Sequence, residues 1–248
     1  MARRELVNWD PRQTDIEAVL ARAEVEECGL IPSGSNYVFL LTLRDREAGA
    51  GYAVYKPRRG EAPLWDFPDG TLYKRERAAY LVSRDLGWNF VPPTIIRDGP
   101  YGPGMVQVFI PNDPRVHFFT LRDDHGAEMR RIALFDAVTN NADRKGGHCL
   151  ADADGRVWGI DHGLCFHESG KLRTVIWDYS GESVDSGLIA DLQELSVRLA
   201  SSTPIRQELE QLLNRSEFQA FRQRVDRMVR KPVYPHPGMH RAVPWPPV

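Results

Sequence analysis

The chain has 248 residues, of which 42% are hydrophobic and 27% charged, and its formal net charge is −2. This is globular composition, of a length that suits one larger domain or two small lobes flanking a cleft. The near-neutral balance excludes a histone-like nucleic-acid binder. No run of about 18 apolar residues occurs, which excludes a transmembrane helix.

Three cysteines, Cys28, Cys149 and Cys165, are too few and too scattered for a disulfide framework. The opening residues Met-Ala-Arg-Arg-Glu-Leu carry no apolar stretch of the secretory kind, so the expectation is a cytoplasmic protein. Only five of the 32 basic residues are lysines. Each surviving lysine is therefore worth inspecting.

In chain order, Thr14 to Glu27 reads as an amphipathic helix, with Ile16, Val19, Leu20 and Ala23 on one face and Gly29 as its stop. Thr14 and Glu17 make a candidate capping box for it. Tyr37–Leu43 and Gly51–Lys56 are β-rich runs on either side of a polar turn, hence a hairpin. Leu72 to Leu86 has helical periodicity and stops at Gly87. Two strands follow, Pro93–Arg97 and Met105–Phe109, divided by the turn-rich Asp98–Gly104. After Pro111 the pattern becomes helical. Glu128–Thr139 is a helix, then comes a polar loop over Asn140–Gly147, then short strands at His148–Ala151 and Val157–Ile160. Residues 185–230 form two or three helical segments broken near Thr203-Pro204 and Asn214. The tail from Lys231 to Val248, with six prolines, is expected to be extended or poorly ordered.

The chemistry concentrates in Asn141-Ala-Asp143-Arg144-Lys-Gly-Gly-His148 and Gly159-Ile160-Asp161-His162-Gly163. Asp143 leaves a helix in a loop, His148 lies five residues on where a strand begins, and Asp161 follows eighteen residues after Asp143, past a second strand. A hairpin between the loops carries both aspartates to one end of a sheet. Phosphoryl transfer requires such a pair: one carboxylate to orient the attacking hydroxyl, one to hold a divalent ion against the phosphates. Upstream, Lys56 ends a strand, from where an ammonium reaches phosphates, and Glu76 on the following helix is placed to pair with it. Gly34, Ser35 and Asn36 form a small-residue loop able to approach phosphates through its backbone. The spacing His162-x-x-Cys165-x-His167 fits no common structural zinc pattern.

These strings resemble the phosphatidylinositol 3-/4-kinase superfamily, within it the type II phosphatidylinositol 4-kinases, and small actinobacterial kinase-like proteins. That family's catalytic loop reads Asn-x-Asp-Arg-x-x-x-Asn, followed by Ile-Asp-x-Gly-x-x-Phe. Here they correspond to Asn141-Ala-Asp143-Arg144 and Ile160-Asp161-His162-Gly163-Leu-Cys-Phe166, within a resemblance spanning residues 30–180. The resemblance implies ATP as cofactor with Mg²⁺ or Mn²⁺, and Lys56 with Glu76 as the phosphate-binding pair. It implies Gln107, Val108, Phe109 and Ile110 as the adenine hinge, Asp143 with Arg144 as the catalytic loop, and Asp161 as metal ligand. His148 stands where the family has a metal-binding Asn and is expected to hold the metal together with Asp161.

The fold expected is α+β and protein-kinase-like: a β-rich N-lobe over 1–110, a mostly helical C-lobe over 111–231, and a Pro-rich tail over 232–248. The expected activity is ATP-dependent phosphoryl transfer to a hydroxyl on a small molecule such as an inositol or sugar, on a protein Ser/Thr, or on a phosphoinositide. A nucleotide-binding pseudokinase scaffold and a nucleotidyl-transferring enzyme are the rivals. The expected partners are ATP and a hydroxyl-bearing substrate, without nucleic acid. Nothing in the sequence fixes the oligomeric state.

Overall fold

The computed structural model describes residues 8–32, 36–238 and 241–248. The chain divides into two compact units: residues 8–77 with 92–111, and residues 78–91 with 112–248.

The first unit begins with helix α1 (Ile16–Arg22) and continues through strands β1 (Glu24–Ile31), β2 (Val38–Asp45) and β3 (Gly49–Pro57). Helix α2 (Leu72–Asp85) starts in this unit and ends in the second. Strands β4 (Thr94–Gly99) and β5 (Gly102–Val108) complete an antiparallel sheet of order β1-β2-β3-β5-β4 among the described residues. Side chains alternate across a strand, so Phe39, Leu41 and Leu43 of β2 and Ala53 and Tyr55 of β3 share a core with Val19, Leu20, Val106 and Val108. Lys56, next to Tyr55, is thereby turned to the opposite face. Trp9 covers this core. A Cβ at Gly51 would run into the Trp9 ring, so only glycine admits the contact.

The helix expected over Thr14–Glu27 is corrected here. It ends at Arg22, and Glu24–Ile31 is a strand paired with β2 along its length. Gly29 thus lies within β1 instead of ending a helix. The stretch Glu24–Glu27 has fair helical propensity, but a free sheet edge offers a row of backbone partners that an isolated helix end does not. The expected capping box is absent too, since Glu17 pairs instead with Arg77 at 2.5 Å.

The second unit contains α3 (Phe118–Leu121), α4 (Gly126–Thr139), the short hairpin β6 (Cys149–Ala151) and β7 (Val157–Gly159), and helices α5 (Ser186–Ala200), α6 (Pro204–Leu212) and α7 (Arg215–Arg230). Helix α4 buries Met129, Ile132, Ala133, Leu134, Phe135, Asp136, Val138 and Thr139, nearly its whole circumference, which makes it the central helix of this unit. Asp185 caps α5 by accepting from Gly187 N at 2.8 Å, and Asn214 with Glu217 forms a capping box on α7. Each such cap stabilises its helix by about 1 kcal/mol.

Among its described residues the Pro-rich tail forms no helix. Its described part packs as an extended strap: Ala242 O accepts from Thr174 N and from Trp177 Nε1, and Pro247 O accepts from Gly146 N at 2.7 Å. Among the described residues, no helix is long and apolar enough to cross a membrane.

Candidate functional site

In the first unit, Lys56 Nζ lies 2.6 Å from Glu76 Oε1. Glu76 is buried, with 2% of its side chain exposed, while Lys56 keeps 19%. A carboxylate at that depth is stable as an ion only with a cation beside it. Glu76 is held in place because Glu61 fixes the start of α2, its carboxylate accepting from Leu72 N at 3.1 Å and Tyr73 N at 2.8 Å.

Of the small-residue loop, Gly34 and Ser35 lie outside the described residues. Asn36 is engaged internally, its Oδ1 accepting from Ala62 N at 2.7 Å. The hinge stretch is also partly committed. Gln107 is buried and donates to Thr94 Oγ1 at 2.7 Å, Val108 N donates to Pro93 O, and Phe109 N donates to Tyr52 O. Phe109 O accepts from Asn8 Nδ2. The Gln107 side chain and the Phe109 backbone groups are therefore engaged within the first unit. Ile110, also buried, ends the stretch.

The second unit gathers the two aspartate loops around a buried ion pair that sequence reasoning missed. Asp136, on the inner face of α4, accepts from Arg144 Nε at 2.9 Å and Nη2 at 2.9 Å, and both side chains are fully buried. Asn141 Nδ2 donates to the same carboxylate at 2.9 Å, and Asn141 Oδ1 accepts from Asp143 N at 3.0 Å. Arg144 Nη1 reaches Ile160 O at 2.9 Å and His148 O at 3.3 Å. Arg144 Nη2 lies 2.7 Å from His162 Nε2. A guanidinium has no acceptor, so His162 accepts there and carries its proton on Nδ1. Burial opposes the charge on Arg144, but Asp136 outweighs it and holds the pKa above its ordinary value. Arg144, grouped with the catalytic loop but expected to fix it through a carboxylate or carbonyl, is fully buried and makes contacts of both kinds. It is a brace binding the Asp143 loop, the start of β6 and the Asp161 turn to one helix.

The helix-to-loop transition is made by Asn140 in the left-handed region at φ 58°, which asparagine tolerates. Its Nδ2 donates to His167 O and Ser169 O, at 2.9 and 2.7 Å. Asp161 also sits at positive φ, 60°, in the turn after β7, with 46% of its side chain exposed.

On this frame Asp143, Lys145, His148 and Asp161 present their side chains. Lys145 Nζ is 3.2 Å from Asp143 Oδ2. Burial pushes the Asp143 carboxyl above the usual carboxylate range, Lys145 counters it, and the negative charge of Asp161 adds to the rise. His148 Nε2 is 3.3 Å from Asp161 Oδ2, while His148 Nδ1 accepts from Lys145 N at 3.3 Å. With Nδ1 accepting, the neutral imidazole carries its proton on Nε2 and directs it at Asp161. In this geometry His148 orients the Asp161 carboxylate.

Among the described residues, no three His, Cys, Asp or Glu side chains gather as a metal cluster. The donor at this turn is the Asp161 carboxylate, since in this geometry both ring nitrogens of His148 are engaged, Nδ1 with Lys145 N and Nε2 with Asp161. So sparse, oxygen-led a set fits a hard divalent ion such as Mg²⁺ or Mn²⁺, which keeps most positions for water and phosphate oxygens.

Two of these residues left a trace in the sequence. Lys145 is one of the five lysines, two positions after Asp143. Asp136 is a lone acid in the apolar run Ala133-Leu-Phe-Asp136-Ala-Val138.

The fold is that of protein kinases. It matches the crystal structure of the Helicobacter pylori proinflammatory kinase CtkA with a TM-score of 0.51, over 84% of this chain and 93% of that one, at 10% identity. The chain belongs to one family with Protein Rv2133c of Mycobacterium tuberculosis (strain ATCC 25618 / H37Rv). The two are 43% identical over 269 aligned positions, covering 94% of this chain and 95% of the relative. It is also 28% identical over 193 aligned positions to phosphatidylinositol 4-kinase gamma 4 of Oryza sativa subsp. japonica, covering 62% of this chain and 34% of that protein. The chain therefore spans about a third of that plant relative. No family model matches it.

Proposed function

We propose that this protein is an ATP-dependent phosphotransferase acting on a hydroxyl acceptor. The observation that carries the reading is the bracing of the Asp143 loop and the Asp161 turn by one buried pair, Arg144–Asp136. The kinase-like fold supports it.

Lys56, held by Glu76, neutralises nucleotide phosphates. Asp161, oriented by His148, would hold a divalent ion, which would supply charge neutralisation for the nucleotide phosphates. Asp143 accepts a hydrogen bond from the acceptor hydroxyl and takes up its proton. Its raised pKa makes it a better base than an ordinary carboxylate. Lys145 limits that rise and places a second cation beside the acceptor oxygen. Catalysis of this kind is positioning and electrostatics, so fixing the loops to a buried pair serves it directly.

The test is nucleotide titration by calorimetry together with turnover for two variants. Asp161→Asn is expected to weaken Mg–ATP binding and turnover together. Asp143→Asn is expected to bind ATP nearly as the native protein does while kcat falls by about 10²–10⁴. Normal binding and turnover in both variants would place the chemistry elsewhere.

A further inference from the structure

Away from these loops, the second unit carries a polar cleft of about 370 Å³, walled by Trp88, Asn89 and Phe90 on one side and by α4 and the turn before β7 on the other. Its charged lining is Arg131 and Arg156 against one acid, Glu128. Arg131 is the unusual member. It is half-buried, and among the described residues its fully buried Nε has no hydrogen-bond partner and no carboxylate lies within ion-pair distance of it. Glu128, one helical turn earlier, contacts His125 at 4.0 Å instead.

Arg156 is fixed and aimed. Its Nη2 donates to Asn89 O at 2.6 Å and its guanidinium lies over the Trp158 ring at 4.6 Å from the centroid. The opposite wall is equally rigid. Trp88 Nε1 donates to Asp191 at 2.7 Å, and Phe90 packs edge-on against Phe135 with ring centroids 5.0 Å apart.

Arg131 Nε is sealed from solvent and out of a ligand's reach, so it is the terminal Nη groups, which make no hydrogen bond among the described residues and keep the side chain's exposure, that offer donors to an anion in the cleft. We infer that this cleft binds the phosphate of a small phosphomonoester, with Arg131 as the principal contact and Arg156 as the second. Two planar forks match the several acceptor oxygens and the near-double charge of a phosphomonoester better than a single carboxylate. The cleft holds the volume of about a dozen waters at roughly 30 Å³ each, which leaves room for a polar organic group beside the phosphate. The site lies on different residues from the proposed nucleotide and acceptor machinery and does not depend on that reading.

The test uses the full chain and intrinsic tryptophan fluorescence, since Trp88 lines the cleft and Arg156 stacks on Trp158. Inorganic phosphate and glycerol phosphate are titrated at constant ionic strength. Saturable binding of both is expected, tighter for the ester. Arg131→Met should weaken it at least tenfold, and Lys56→Met should leave it unchanged. Glu128→Gln, which removes the only acid of the cleft without touching the arginines, should tighten it and keeps the test open if Arg131→Met folds poorly. A non-saturating response, or one lost in Lys56→Met and kept in Arg131→Met, overturns the proposal. So does a Glu128→Gln variant with unchanged affinity, which would mean that the acid does not share the site.

Discussion

Removing Asp136 is the perturbation whose size the structure sets most directly. Asp136→Ala deletes the carboxylate that accepts twice from Arg144 at 2.9 Å and once from Asn141 at 2.9 Å, in a site with no exposed side-chain surface. Leaving a buried guanidinium without its counter-ion costs about 3–5 kcal/mol. The lost Asn141 bond adds about 1 kcal/mol. Domains of ordinary stability have about 5–15 kcal/mol in total, so the second unit should approach its unfolding limit. Urea denaturation followed by circular dichroism measures this as a lower midpoint with an unchanged slope. The companion variant Asp136→Leu/Arg144→Met removes both charges. It should recover part of the loss, because a buried pair replaced by apolar residues is often near neutral. Recovery stays incomplete, since Arg144 also serves Ile160 O and His148 O. An Asp136→Ala loss below about 1 kcal/mol, or a double variant no better than the single, would refute the reasoning, since the pair would then not be the brace described.

Lys56→Met should retain native circular dichroism and lose turnover, with weaker nucleotide binding by calorimetry; unchanged affinity would count against its role with phosphate. Cys149 and Cys165 are buried, and burial pushes the Cys149 thiol up to about 12. A thiol probe near pH 8 should therefore label Cys28 in the native protein and all three cysteines after unfolding, counted by mass spectrometry. Asp45 has its carboxyl held well below the usual range by Arg22 and by the N–H groups of Ala48 and Glu47. Its stabilising contribution is complete above the unfolded pKa of about 3.9 and fades as the pH falls below that toward the depressed folded value. Asp45→Asn should accordingly lower Tm at neutral pH, and the gap from the native protein should close on acidification; a constant gap would contradict the assignment.

How far the sequence reached depended on the range of the interactions. Helices with a strong 3.6-residue pattern, such as Leu72–Asp85 and the three over 186–230, were legible because one apolar face and its caps specify them locally. The pairing of Lys56 with Glu76 was legible for a similar reason, since a strand end followed by a helix leaves few directions for a lone lysine. Segment Glu24–Ile31 was misread because its state depends on β2, whose edge it completes. The role of Asp136 was equally hidden. A single acid in an apolar helix becomes interpretable only when Arg144, eight residues on, folds back to neutralise it. The tail shows the same limit, as proline content indicates extended backbone but not that Pro247 would accept from Gly146 beside the Asp143 loop. Residue type and spacing determined which groups this protein has for chemistry. Tertiary structure decided which of them face solvent and which are buried as supports, because burial and charge pairing are properties of neighbours that the linear order does not name.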